Sequence, residues 1–283
     1  MKEYDIYYIS ISGGKDSTAT LLWGMDNLPK EKILAVFLDT GNESEITLDY
    51  IKYLERKTGI KIHRILPKYS FEEIIRKKKF FPSPGVRYCT EILKIEPSKE
   101  ITKILRKQIK NPSSIKNPEE IINTAEKLPA NPKILVVTGV RAQESEARSK
   151  YPEFEENNPY IQCDLLRPII QWTEKDVFEF LKKKGIDPNP LYQYGCRRVG
   201  CFPCIFAKKE ELFLLFKEEF EIERYKIQKL EKDIGRKFFI YQSLEEKYNH
   251  LKNKESQQGS LFLEEKKEEE ISICNVNGIS FCE

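Results

Sequence analysis

The chain has 283 residues, 40% of them hydrophobic, and its 48 basic and 45 acidic side chains leave a formal net charge of +3. Length and apolar content suit one large α/β domain with a smaller appendage and exclude global disorder, and the balanced charge excludes a dedicated nucleic-acid binder while leaving room for a local basic patch. No stretch approaches the roughly 18 consecutive apolar residues of a membrane span, so no membrane is expected.

Residues Tyr4 to Ile11, rich in Ile and Tyr, read as a buried first strand and not as a signal peptide. Gly13 and Gly14 break it before a helix from Ser17 to Met25. A second strand, Ile33 to Leu38, ends in Asp39-Thr40-Gly41-Asn42; a helix from Glu45 to Lys57 stops at Gly59, and a third strand runs from Lys61 to Leu66. Strands alternating with helices in this way specify a parallel sheet with right-handed crossovers, whose ligands bind beyond the carboxyl ends of the strands.

Lys110 to Lys133, rich in Asn, Pro, Lys and Ile, reads as a variable insertion holding one helix. Ile134 to Val137 is the next strand and runs into Thr138-Gly139-Val140-Arg141. Thr173 to Lys184 is helical, with Thr173 as its N-cap and Gly185 as its stop. A cysteine-rich loop then leads to a long charged helix, about Lys208 to Ile234. Beyond Leu251 the acidic run Glu264 to Glu270 marks a flexible linker, and the last residues carry Cys274 and Cys282, either a mobile redox arm or free thiols. The expected fold is α/β, a mostly parallel doubly wound sheet with a helical C-terminal region. The expected divisions are a nucleotide-binding domain at 1–207 with the insertion at about 110–132, a helical region at 208–251, and a linker and tail at 252–283.

Chemistry concentrates first at Ser12-Gly13-Gly14-Lys15-Asp16-Ser17, between the first strand and its helix. Paired glycines let backbone N–H groups approach phosphate oxygens, and the helix directs its positive end at the same anion. Lys15 adds a point charge, and the Ser12 and Ser17 hydroxyls can donate to phosphate. The alternative is a plain Gly-Gly turn, but Ser, Lys, Asp and Ser all in register favour the phosphate loop. It is not a Walker A loop, because Asp16 follows the lysine.

This loop resembles that of the PP-loop adenine nucleotide α-hydrolase (ATP pyrophosphatase) superfamily. Four further segments narrow the resemblance to the phosphoadenosine phosphosulfate (PAPS) reductase-like family, over about Tyr4 to Ala207. They are Phe37-Leu38-Asp39-Thr40-Gly41, Arg87-Tyr88-Cys89 with Leu93-Lys94, Thr138-Gly139-Val140-Arg141 with Glu144-Ser145 and Arg148, and Arg167-Pro168-Ile169. The resemblance implies that Asp39, Thr40 and Gly41 lie near the adenosine, that Gly139, Arg141 and Arg148 meet phosphate, and that Lys15, Asp16 and Arg141 act in catalysis. Arginines on a loop after a strand suit multidentate anion recognition, although a surface ion pair with Glu144 or Glu146 is the plainer alternative.

Seven cysteines without an export signal point to the reducing cytoplasm, where thiols bind metal or do redox work more often than they form disulfides. Cys201-Phe202-Pro203-Cys204 is a CxxC, Cys196 lies five residues before it, and Cys89 is a distant candidate for the fourth ligand. Four thiolates suit zinc or a [4Fe–4S] cluster. The resemblance favours iron–sulfur, since similar proteins hold a cubane cluster. Cys163, on an apolar strand, reads as a buried thiol. His63 and His250 are isolated, and the run Arg76-Lys77-Lys78-Lys79 before Phe80-Phe81 is a solvated helix end or a contact for nucleic-acid phosphates.

The resemblance implies an enzyme that uses ATP and Mg²⁺ to adenylate an acceptor, releasing pyrophosphate and then AMP as sulfur is transferred with help from the cluster. The acceptor would be tRNA, DNA or a small metabolite, served by a sulfur-donor protein, and oligomerisation is left open. A sulfonucleotide reductase is the alternative, against which the Glu-Cys-Gly-Leu/Ile-His motif is missing around Cys282. A non-catalytic nucleotide-sensing module is the third reading.

Overall fold

The computed structural model describes residues 3–254, so Cys274, Cys282 and nearly all of the acidic tail lie outside the described residues. In chain order β1 (Ile6–Ile11) leads to α1 (Lys15–Asn27), β2 (Ile33–Leu38) to α2 (Glu45–Thr58), and β3 (Ile62–Ile65) to α3 (Phe71–Lys78). A short α4 (Tyr88–Thr90) passes through a π-helical turn, Glu91–Ile95, into α5 (Glu96–Leu105), and α6 (Glu119–Glu126) precedes β4 (Ile134–Val137). Next come α7 (Glu146–Ser149), β5 (Phe154–Asn158), β6 (Cys163–Leu166), α8 (Glu174–Lys183), α9 (Lys209–Leu215) and α10 (Glu221–Ile234). Residues 244–254 are again helical.

The six strands form one sheet in the order β3-β2-β1-β4-β6-β5. All neighbours are parallel except β5 and β6. β2 and β4 are apolar along their length, and β1 apart from Ser10, because helices cover both faces. Ile9, Ile11, Ala35, Phe37 and Val137 pack on one side with α1, α2 and α8. Tyr8, Leu34, Val36 and Val136 pack on the other with α5 and α6. The sheet is therefore doubly wound, as the sequence implied.

Two local expectations change. Edge strand β5 was not anticipated, because its sequence Phe-Glu-Glu-Asn-Asn has little strand propensity. Pairing with β6 and the Arg167–Glu155 ion pair hold it. The long C-terminal helix is broken into α9, a 3₁₀ turn at Glu218–Phe220, and α10. The break turns Phe220 inward, where its ring packs against Phe202 and Tyr194. The segment read as an insertion is tied into the domain: Ile115, Ile121 and Ala125 join the core, and Ile115 bridges to Pro67.

Strand order reverses around β1, whose neighbours are β2 and β4. The crevice beyond the carboxyl ends of β1 and β4 is the topological switch point where open α/β sheets bind ligands. The loop at 138–141 meets the first turns of α1 there. The C-terminal helices pack against α3 and the cysteine loop in a third core, which includes Phe71, Leu93, Leu191, Phe202, Leu215 and Phe220.

Candidate nucleotide and cysteine site

The loop after β1 is closed by its own serines. The Ser12 amide donates to Ser17 Oγ at 3.1 Å, the Gly14 amide to Ser12 Oγ at 3.3 Å, and Ser17 Oγ to the Gly14 carbonyl at 3.0 Å. Gly13 has φ +75°, and a Cβ there would lie 2.7 Å from the Thr47 methyl, so only glycine fits. Buried Asn189 braces the turn from a distance, donating to the Gly13 carbonyl at 3.1 Å and accepting from the Leu191 amide at 3.0 Å. The N-cap residue Gly14 supplies no side-chain cap to α1, whose first amides point toward the switch point, and Tyr192 takes that of Lys15.

Lys15 is 4% exposed and lies 3.1 Å from the Glu174 carboxylate and 3.7 Å from that of Asp16. Its ammonium also donates to the Arg197 carbonyl at 3.3 Å and lies 5.1 Å from the Tyr192 ring centre. Its amide donates to the Tyr192 hydroxyl at 2.9 Å. Buried Arg141, from the loop after β4, donates through Nε to Asp16 and through Nη1 to Gln143 at 3.0 Å. Gly139 lets β4 approach α1: a Cβ there would stand 2.6 Å from the Asp16 carbonyl oxygen. Thus Ser12 through Ser17, Gly139 and Arg141 come together. Arg148, on α7, is instead ion-paired with Glu144, which accepts from the Arg141 amide, so Arg148 reaches the loop only indirectly.

Asp39, at the end of β2, is buried and accepts from Arg64 Nε at 2.7 Å and from the Gly41 amide at 2.8 Å. Burial opposes its ionisation, but the bonds with Glu43, Gly41 and Arg64 outweigh it and hold the carboxyl below its ordinary range. Glu43 accepts from the Thr40 amide at 2.9 Å and the Thr40 hydroxyl at 2.8 Å. Burial, reinforced by Asp39, pushes Glu43 up to about 7.

The same loop is stitched to the CxxC. Glu43 and Cys201 form an antiparallel bridge, the Phe202 amide donates to the Asn42 carbonyl at 2.6 Å, and Asn42 Nδ2 donates to the Pro203 carbonyl at 3.0 Å. Cys201 Sγ lies 3.5 Å from Thr40 Oγ1 and 4.0 Å from Glu43 Oε1. Lys94, on the π-helical turn, keeps its proton mainly because of Cys201, burial opposing, with Glu43, Cys204 and Cys89 adding to the effect. Burial raises the Cys89, Cys201 and Cys204 thiols despite that ammonium.

Cys196 is buried in the C-terminal core, against which Cys89 also packs, and burial and then Glu211 push its thiol up to about 12. Among the described residues no three His, Cys, Asp or Glu side chains gather closely enough to hold a metal ion. Cys89, Cys201 and Cys204 all act on Lys94, whose ammonium would offset thiolate charge, but the three thiols do not stand at metal-binding spacing.

Glu43, Glu174, Asn189 and Tyr192 escaped the sequence reading. The Thr40-x-x-Glu43 spacing, that of a reciprocal capping pair, was a usable signal; the others act across the fold and leave none.

A family model described as the phosphoadenosine phosphosulfate reductase domain matches residues 6–207. An uncharacterized 37.8 kDa protein of Escherichia phage 186 is 36% identical over 245 residues, covering 76% of this chain and 71% of that protein. An uncharacterized protein of Methanocaldococcus jannaschii is 32% identical over 197 residues, 69% of this chain, which spans only 35% of that relative. The adenosine 5'-phosphosulfate reductase of Allochromatium vinosum is 25% identical over 209 residues, 71% of this chain and 68% of the reductase.

Proposed function

The chain belongs to the phosphoadenosine phosphosulfate reductase domain family, and from that premise we propose that it is a PP-loop enzyme that binds ATP and adenylates an acceptor oxygen. The observation that carries this reading is the start of α1 at the switch point, where Gly14 supplies no side-chain cap, with Lys15 and the Arg141–Asp16 pair beside it. An oxygen lone pair of the acceptor attacks the α-phosphorus of ATP, the bond to the bridging oxygen breaks, and pyrophosphate leaves. Loop amides and Lys15 hold the departing charge. A Mg²⁺ ion would neutralise it further, and Asp16 Oδ2 is the carboxylate oxygen not engaged by Arg141. A sulfur nucleophile from a donor protein then attacks the activated carbon, and the C–O bond breaks to release AMP.

The Asn42–Glu43 bridge to Cys201 and Phe202 ties the nucleotide loop to the thiols, which supports sulfur chemistry at this site. Cys89, Cys201 and Cys204 would hold an iron–sulfur group, which would supply a thiophilic anchor for the incoming sulfur. A nucleic-acid acceptor, tRNA or DNA, is supported by the rim beside Cys89. There the Arg87 guanidinium lies 4.7 Å over the Phe206 ring, and Lys78 lies 6.0 Å over Tyr88, which packs on half-exposed Phe80. Among the described residues neither Lys78 nor Arg87 is shown ion-paired, whereas Arg76 is held by Glu72 and Asp233.

The test is to incubate anaerobically purified chain with ATP, Mg²⁺, sulfide as the sulfur nucleophile, and RNA or DNA, and to measure AMP and pyrophosphate. Acceptor-dependent formation of both, lost in Lys15→Ala, is expected. Reduction of a sulfonucleotide to sulfite without ATP turnover would replace this reading with that of a reductase.

A further inference from the structure

Two phosphate-seeking donors of Lys15 are engaged by the protein itself, the amide by Tyr192 and the ammonium by Glu174. The four charged groups Lys15, Arg141, Asp16 and Glu174 sum to zero. An arriving anion therefore meets a neutral, internally paired site, and one carboxylate must leave Lys15 before a phosphoryl oxygen can take its place.

The two carboxylates on Lys15 differ in how they are held. Asp16 is one-sixth exposed and bonded to Arg141 Nε, so moving it would strand a buried guanidinium. Glu174 is 56% exposed, and its carboxylate can turn into water. Its backbone is fixed: the Glu174 amide donates to Gln143 Oε1 at 3.0 Å, and Thr173 and Asp176 form the capping box of α8 around it. Gln143 Oε1 also accepts from Arg141, so residue 174 is positioned by the arginine that holds Asp16.

Resting on the phosphate-loop reading above, we propose that Glu174 is the phosphate surrogate of the nucleotide-free site. Its carboxylate neutralises Lys15 in the absence of ligand and is displaced by the polyphosphate, so residue 174 sets the affinity threshold of the loop. The surrogate also keeps the buried ammonium from being desolvated without a counter-charge in the empty state.

The probe is inorganic pyrophosphate in EDTA, measured by titration calorimetry on the full chain. Glu174→Gln, which keeps shape and helix start, should bind pyrophosphate about fivefold more tightly than the unaltered chain, the worth of an accessible ion pair. Glu174→Asp, too short to keep the contact but still charged, should fall between them. Lys15→Ala should remove the binding. Melting temperatures of all variants separate this effect from misfolding, since a merely structural role would lower melting and weaken binding together. Equal or weaker binding by Glu174→Gln, with Lys15-dependent binding intact in the unaltered chain, overturns the surrogate role alone. Pyrophosphate binding that is absent or independent of Lys15 in the unaltered chain overturns the phosphate-loop reading, and the surrogate with it.

Discussion

Replacing Gly139 by alanine tests whether the approach of β4 to α1 positions the phosphate loop. The added Cβ would lie 2.6 Å from the Asp16 carbonyl oxygen, 2.7 Å from its carbon and 2.8 Å from Thr20 Oγ1. An ordinary contact begins near 3.4 Å, so the first turn of α1 must retreat by roughly 0.8 Å, and its backbone has no flexible side chain to absorb the shift. Overpacking of this kind costs about 2 kcal/mol, which for a chain of this size lowers the melting temperature by about 4–8 °C. The retreat carries Asp16 away from Arg141 and tilts Lys15, so turnover should fall by about 100-fold, the usual effect of a displacement near 1 Å. The control is Gly59→Ala, at φ +68° with nothing within 4 Å of the new methyl. It should cost about 1–2 kcal/mol through its left-handed backbone and leave nucleotide affinity unchanged. Melting curves and ATP titrations of both variants decide the matter. A Gly139→Ala chain with normal melting and normal ATP affinity would refute the steric argument.

Asn189→Ala strands the Gly13 carbonyl and the Leu191 amide and should cost about 1–3 kcal/mol in urea unfolding while weakening ATP binding; unchanged affinity would show that the brace does not shape the loop. Burial resists ionisation of Glu100, but the Ser114 and Ser113 hydroxyls and amides outweigh it and hold the carboxyl below its ordinary value. The resulting stability is present above the unfolded value near about 4.3 and is lost as pH falls through the lower folded value. The melting advantage of the unaltered chain over Glu100→Gln should therefore shrink as pH falls below about 4, and an advantage that grew there would contradict the assignment. After anaerobic reconstitution, Cys89→Ser, Cys201→Ser and Cys204→Ser should each lose iron and Cys196→Ser should keep it; loss in Cys196→Ser with normal melting would restore the four-cysteine set.

The sheet was legible because β2 and β4 are buried on both faces and read as unbroken apolar runs, because Ser10 alone interrupts the run in β1, and because Gly59 and the Thr173–Asp176 capping box mark helix ends locally. β5 was not legible, since its polar residues are strand only by pairing with β6. The break between α9 and α10 escaped notice because the segment carries no Gly or Pro to mark it, and only packing against Phe202 shows that Phe220 turns inward. Lys15, Asp16 and Arg141 sit in local motifs that the sequence displays. Asn189 meets Gly13 across 176 residues, and Glu174 meets Lys15 only after α8 has packed beside α1. Cys196 was singled out by its spacing to Cys201, and only the fold shows it buried in the C-terminal core, against which Cys89 also packs.

The central claim is tested most directly by competitive binding of ATP with Mg²⁺ against phosphoadenosine phosphosulfate, on anaerobically purified chain and its Lys15→Ala variant. The account expects a clear preference for ATP that disappears when Lys15 is removed. A preference for the sulfonucleotide, or ATP binding indifferent to Lys15, would contradict it.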